Sequence, residues 1–206
     1  MSRFFLFDWD NTLVESWTAI HGAWNATLAD FGLPLITLAE IRDRVRLSAK
    51  ESFPALFGAE SERAIRLYRQ HYQGLRTEPE PLQAAESVLK FCQSSGISCG
   101  VISNKSDDFL QQEIAALGWQ SYFPLGAVGA GKAPADKPDP LVLQYLMPAV
   151  EDFSGFWYIG DTGVDLEFAQ RCGMIGVLIG DNVRESDPEP VKKFPDLPSF
   201  LIEIQT

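Results

Sequence analysis

"FFLFDWDNTLV", residues 4–14, runs four apolar residues straight into Asp8 and Asp10, with Trp9 between them. A short continuous apolar run reads as a parallel strand buried on both faces. Carboxylates at close range repel, so ending such a strand on two of them costs stability unless something beyond the strand uses both. Being two residues apart, Asp8 and Asp10 project to the same side. Similar runs recur in "ISCGVIS" (97–103), "FWYIG" (156–160) and "IGVLIG" (175–180), with a weaker one in "YFPLGAV" (122–128). Helical patterns alternate with them. "PLQAAESVLKFCQSSG" places Pro81 at a helix start and Gly96 at its cap, and "SDDFLQQEIAALG" offers Ser106 as N-cap and Gly118 as stop. "PDPLVLQYLM" and "TGVDLEFAQRCG" are two more. The alternation predicts an α/β fold, a Rossmann-like parallel sheet flanked by helices.

Residues 16–81 break that rhythm. They hold no strand-like run and read as helices over 17–31, 37–45, 48–57 and 60–76, with Ser48 and Glu51 as a capping box. The simplest parse is a core of residues 1–15 and 82–206 with an all-helical insert at 16–81. "LVES" (13–16) and "TEPEP" (77–81) then serve as linkers. "DPEPVKKFPDLPSF" near the end predicts a loop, a short edge strand and a last short helix.

The totals narrow the function classes. The chain has 206 residues, 46% of them hydrophobic, enough for a core, and no apolar run reaches the roughly 18 residues of a membrane span. FFLF is too short for a signal peptide, and Asp8 interrupts it. Cys92, Cys99 and Cys172 form no C-x-x-C pair and read as reduced thiols of a cytoplasmic protein. A net charge of −11 argues against a nucleic-acid partner. Residues 16–81 nevertheless carry eight Lys/Arg against eight Asp/Glu, so the whole deficit falls on the rest of the chain. A neutral insert beside an acidic body suits an anionic ligand, although solvated faces alone would give the same balance.

In a sheet of this kind, ligands bind beyond the carboxyl ends of the strands. There the sequence puts Asp8 and Asp10, then Ser103, Asn104 and Lys105, then Lys132 and Lys137, then Asp161 and Asp165. Asp161 and Asp165, spaced i, i+4, share a face at the opening turn of a helix. Carboxylates gathered from separate loops make sense around a hard cation such as Mg²⁺, and Mg²⁺ with a lysine is equipment for a phosphate group.

"DWDNT" (8–12), "VISNK" (101–105), "KPDP" (137–140) and "GDTGVD" (160–165) together resemble the motifs of the haloacid dehalogenase-like hydrolase superfamily, in its order and each after a strand. The helical insert resembles its C1-type cap, and the chain is most similar within it to the phosphoglycolate phosphatase-like hydrolases. The resemblance implies a Mg²⁺-dependent hydrolase of a small anionic phosphate ester. Asp8 would be the nucleophile and Asp10 the general acid and base. The metal set would be Asp8, Asp10 (through its backbone carbonyl), Asp161 and Asp165. Thr12, Ser103, Asn104 and Lys105 would bind substrate, and Lys137 would neutralise the charge between nucleophile and phosphate. Lys137 is preferred over Lys132 because it sits in "KPDP".

Several alternatives stay beside this one. Asp8 and Asp10 could cap a turn, and Asp161 could cap the helix after it as well as hold metal. "GAVGAGKA" (126–133) fails as a P-loop, since Ala133 has no hydroxyl for Mg²⁺. Arg42, Arg44, Arg46 and Lys50 in "IRDRVRLSAKES" either line a wet helix face or meet an anionic substrate, while His21 and His71 read as packing or surface residues. Trp9 should point away from the metal. The second aspartate argues against a dehalogenase, leaving a sugar-phosphate mutase or a non-catalytic phosphate-binding protein as alternatives.

Overall fold

The computed structural model describes residues 4–44, 48–75 and 78–206. From the amino end, β1 (Phe4–Phe7) and β2 (Val14–Glu15) lead into α1 (Trp17–Asp30), α2 (Leu38–Arg44), α3 (Ala49–Phe57) and α4 (Ser61–Leu75). Next come β3 (Glu80–Pro81), α5 (Ala85–Ser94), β4 (Ser98–Ser106), α6 (Asp107–Leu117), β5 (Ala127–Ala130) and α7 (Leu141–Leu146). The chain closes with β6 (Phe156–Thr162), α8 (Gly163–Arg171), β7 (Ile175–Asn182), β8 (Lys192–Phe194) and α9 (Leu197–Gln205). Six strands pair in the order β5-β4-β1-β6-β7-β8, all in parallel. This is the α/β, Rossmann-like architecture expected.

Side-chain alternation divides the core between the two faces of the sheet. Phe5, Phe7, Val101 and Ile159 pack on one face with Leu89, Leu110 and Phe200 from α5, α6 and α9. Leu6, Ile102 and Tyr158 pack on the other with Val142 and Phe168 from α7 and α8. Central β1 has β4 on one side and β6 on the other, so its carboxyl end opens at the point where the sheet's crossovers change direction. Among the described residues, no helix is long and apolar enough to cross a membrane.

The chain divides into two compact units, Met1–Glu15 with Glu80–Thr206, and Ser16–Pro79. The smaller unit is helical and centred on aromatic side chains, with Phe53 stacked edge-on against Trp24 (4.9 Å) and Tyr68 (5.5 Å). Both of its histidines do structural work. His21 and Asn25 contact the carbonyl of Ile36, and His71 meets Asp30 at 2.7 Å.

Local details depart from the sequence reading. Pro81 does not start a helix. It pairs with Val14 in an antiparallel ribbon with Glu15 opposite Glu80, a place where a residue without an N–H is tolerated, and α5 begins only at Ala85. The presumed linkers thus hold each other. Ser48 and Glu51 form no capping box; the Ser48 hydroxyl instead donates to the Glu51 carboxylate at 3.4 Å. The reciprocal box forms at Thr37 and Glu40, and again at Thr162 and Asp165. The cap of α8 is therefore Thr162, and Asp161 remains in the strand, because the turn occurs one residue later than expected. The weak strand also moves, from 122–128 to Ala127–Ala130, since Gly126 at φ +94° turns the chain just before it.

One glycine fixes how closely α8 approaches β6. A Cβ on Gly160 would lie 2.3 Å from Cγ of Asp165, inside contact distance of a buried side chain. Gly160→Ala should cost about 1–3 kcal/mol through overpacking, read as a lower urea midpoint at unchanged slope.

Candidate active site

The end of β1 is shaped by a tight turn. The Trp9 carbonyl accepts the N–H groups of Leu13 (3.0 Å) and Val14 (3.2 Å), and Asn11 takes φ +60°, a conformation asparagine tolerates well. The Asp8 N–H continues the ladder to the Ile159 carbonyl at 2.8 Å. Asp8 is thereby held on the strand while Asp10 leaves it. Trp9, fully buried, points into the core against Trp119 and Phe123.

Lys137 lies at the centre of the polar cluster. Its Nζ donates to Asp8 Oδ1 (2.9 Å), Asp165 Oδ1 (2.7 Å) and the Tyr158 hydroxyl (2.8 Å). Tyr158 in turn donates to the Ile102 carbonyl at 2.6 Å. Asn104 brackets the backbone of Lys137, accepting its N–H and donating to its C=O, both at 3.0 Å. The Asn104 side chain is thus engaged in placing the lysine. Lys132, the other candidate, is exposed.

Asp8, Asp161 and Asp165 are all buried, with carboxylate oxygens within 4.8 Å of one another. Asp165 Oδ2 accepts from the N–H (3.0 Å) and hydroxyl (2.7 Å) of Thr162, which locks its orientation. The one hydrogen bond to the Asp161 carboxylate among the described residues comes from the buried Thr12 hydroxyl, at 3.5 Å. Asp10 lies outside this trio, and its carboxylate accepts from Lys105 Nζ at 2.6 Å. Lys105 also meets Glu113 Oε1 at 3.1 Å, and the Trp9 indole N–H donates to Glu113 Oε2 at 2.7 Å. Buried Ser103 accepts the N–H of Lys105 at 3.2 Å, closing the turn after β4.

A model of the haloacid dehalogenase-like hydrolase family matches residues 5–179. The chain belongs to that family. Among curated relatives, a phosphoglycolate phosphatase of Xanthomonas campestris is 28% identical over 194 residues, covering 90% of this chain and 87% of the relative. A phosphoglycolate phosphatase of Xylella fastidiosa is 27% identical over 92% of this chain and 85% of its own. Among solved structures, a haloacid dehalogenase-like hydrolase from Streptococcus pneumoniae superposes with a TM-score of 0.82 at 23% identity, covering 99% of each chain. A hydrolase from Pseudomonas syringae does so at 0.82 and 20%, covering 99% of this chain and 98% of the other.

Haloacid dehalogenase-like phosphatases generally take a divalent metal, and the electrostatics of the trio fit one. Burial, then Asp165 and Asp8, push the Asp161 carboxyl well above the ordinary range. Burial raises Asp8 to about 6, against the pull of Lys137. Burial works to lower Lys137, yet Asp165 and Asp8 outweigh it and keep the ammonium charged. Three carboxylates around one lysine leave two negative charges uncompensated when all ionise, and Asp161 has only a long hydrogen bond. That is a site matched to a divalent cation. Asp165, with donors on both oxygens, orients Lys137 and supports the other two.

Sequence reasoning missed Tyr158 and Glu113. Tyr158 sits within an apolar run whose hydroxyl gave no separate signal. Glu113 had one: with Phe109, Leu110 and Ile114 it occupies the buried stripe of α6, where an acid needs a partner. Of the four basic residues singled out in the helical insert, Arg46 lies outside the described residues. Arg44 ends α2, Lys50 is exposed on α3, and Arg42 stacks over the Trp17 ring at 5.4 Å.

The raised carboxyls set the sign of a pH effect. A group with a raised folded pKa favours the fold while protonated, and that contribution is lost as pH rises from 3.8 through the folded value, about 6 for Asp8. In the presence of a chelator, Asp161→Asn should melt above wild type at pH 7. The gap should close as pH falls towards 4, where both side chains are neutral, and thermal melts across that range check it.

Proposed function

We propose that this chain is a Mg²⁺-dependent phosphatase acting on a small phosphate monoester, 2-phosphoglycolate or a close analogue, through an aspartyl-phosphate intermediate. The observation that carries the proposal is the contact of Lys137 with Asp8 inside a buried carboxylate trio at the end of the central strand. The names of the curated relatives support the substrate class. The three free cysteines suit a reducing cytoplasm. We take the helical unit to be the C1-type cap, the part that selects the substrate.

Asp8 attacks phosphorus while Lys137 neutralises charge between carboxylate and phosphate. The P–O bond to the leaving alcohol breaks as Asp10 gives that oxygen its proton. Asp10 then takes a proton from a water that attacks phosphorus, and the bond from phosphorus to the Asp8 oxygen breaks, releasing phosphate and restoring the Asp8 carboxylate. Two separate hydrogen-bond sets fit two separate duties: Lys137 and Thr162 serve the trio, Lys105 serves Asp10. Ser103 and the backbone at Asn104 bind phosphate oxygens. Mg²⁺ would be held by Asp8, Asp161 and the Asp10 carbonyl, with Asp165 in support, and supplies Lewis-acid stabilisation of phosphate charge.

With Mg²⁺, wild-type protein should hydrolyse p-nitrophenyl phosphate, lose that activity in EDTA, and lose it by about 10⁴-fold or more in Asp8→Asn. Inactivity against a broad ester panel would instead mark a phosphate-binding protein. Isomerisation of a hexose phosphate primed by a bisphosphate, with little phosphate release, would mark a mutase. At about a hundred times its Kd, Mg²⁺ should stabilise the wild type by about 2.7 kcal/mol in calorimetric melts, and Asp161→Asn should lose most of that shift.

A further inference from the structure

Glu113 is given no step in the proposed reaction, yet it binds both Trp9 and Lys105 beside Asp10. Its Oε2 holds the indole N–H of Trp9, the residue between Asp8 and Asp10. Its Oε1 meets the ammonium of Lys105, which bonds Asp10 Oδ1. The side chains of Glu113 and Lys105 are 4% and 3% exposed, whereas that of Asp10 is 19% exposed. A buried acid on an apolar helix stripe is costly, and apolar residues would serve packing alone better. The two arms of Glu113 grip the strand end from both sides: one fixes the residue before Asp10, the other the cation against its carboxyl.

Resting on the phosphatase reading above, we infer that Glu113 is a positioning residue for leaving-group protonation, holding Trp9 and Lys105 so that the Asp10 carboxyl faces the ester oxygen. It acts through those two side chains and does not touch substrate. Displacing it would misplace the acid while leaving Asp8, Lys137 and the metal trio intact. Small misplacements of a proton donor are costly because proton transfer needs hydrogen-bond geometry. The near-isosteric change Glu113→Gln breaks the arrangement, since an amide has a single acceptor oxygen for the two donors that face it.

The test compares leaving groups. An alkyl phosphate needs a proton on its departing oxygen, whereas p-nitrophenolate leaves without one, and kcat/KM reports the step that forms the aspartyl-phosphate. Glu113→Gln should lower kcat/KM for alkyl phosphates, 2-phosphoglycolate among them, by about tenfold or more. It should change the value for p-nitrophenyl phosphate by less than about twofold. In an Asp10→Asn background the same substitution should add less than about twofold on the alkyl ester, because the donor it positions is already gone. Equal losses on both ester types, or full additivity with Asp10→Asn, would overturn the inference. Should Glu113→Gln not fold, Trp9→Phe removes one arm while keeping a ring in the core, and the same selective loss is expected. A uniform loss there is equally fatal. Wild-type inactivity on every ester would overturn the phosphatase reading itself, an outcome distinct from either.

Discussion

One ammonium group, Lys137 Nζ, makes the carboxyl end of this sheet tenable. Three acids are buried there from two parts of the chain, and without a cation their desolvation and mutual repulsion would oppose folding. Lys137 answers two of them directly, and the Tyr158 hydroxyl takes its third proton. The arrangement is over-determined, since Asn104 fixes the backbone of the lysine while Thr162 fixes the orientation of Asp165. Rigid placement of this kind keeps the lysine from collapsing onto one acid alone. It also leaves Asp161 as the one member whose charge is poorly answered within the chain, which is why the cluster suits a divalent cation.

Much of the architecture was legible because buried parallel strands must be apolar throughout. FFLF, ISCGVIS, FWYIG and IGVLIG have no other economical place than the centre of a sheet covered on both faces. The candidate site was legible for a related reason: polar residues directly after such runs are forced to the ligand-binding edge. Asp8, Lys137, Asp161 and Asp165 meet there because the order of the strands brings their loops together. What the sequence hid depends on contacts between residues far apart. Glu113 lies 104 residues from Trp9, and no local pattern names its partner. The partners of Lys105 were hidden in the same way, since only the fold brings its ammonium to Asp10 and Glu113.

Turn chemistry explains the smaller misjudgements. Pro81 has the residue type of a helix start but not the surroundings, since pairing of the ribbon decides its conformation first. Ser48 and Glu51 have the spacing of a capping box, yet the Glu51 N–H bonds the Ser48 carbonyl at 3.0 Å and not its hydroxyl. Thr37 with Glu40 and Thr162 with Asp165 carry the same spacing, and both close the box. At Thr162 the box does a second job, because its acid is also the group that aims Lys137. A helix cap and a site residue are then the same side chain, so local stability and site geometry are set by one choice.

The ribbon of Val14–Glu15 with Glu80–Pro81 brings both ends of the helical insert to adjacent positions. A segment whose entry and exit are neighbours closes as a loop whatever its length, and the entropy of closure grows only slowly with the number of residues inside it. The strands that carry the carboxylates are consequently indifferent to what the insert contains. Residues can be added to or taken from that segment without displacing the strand ends that carry Asp8 and Asp161.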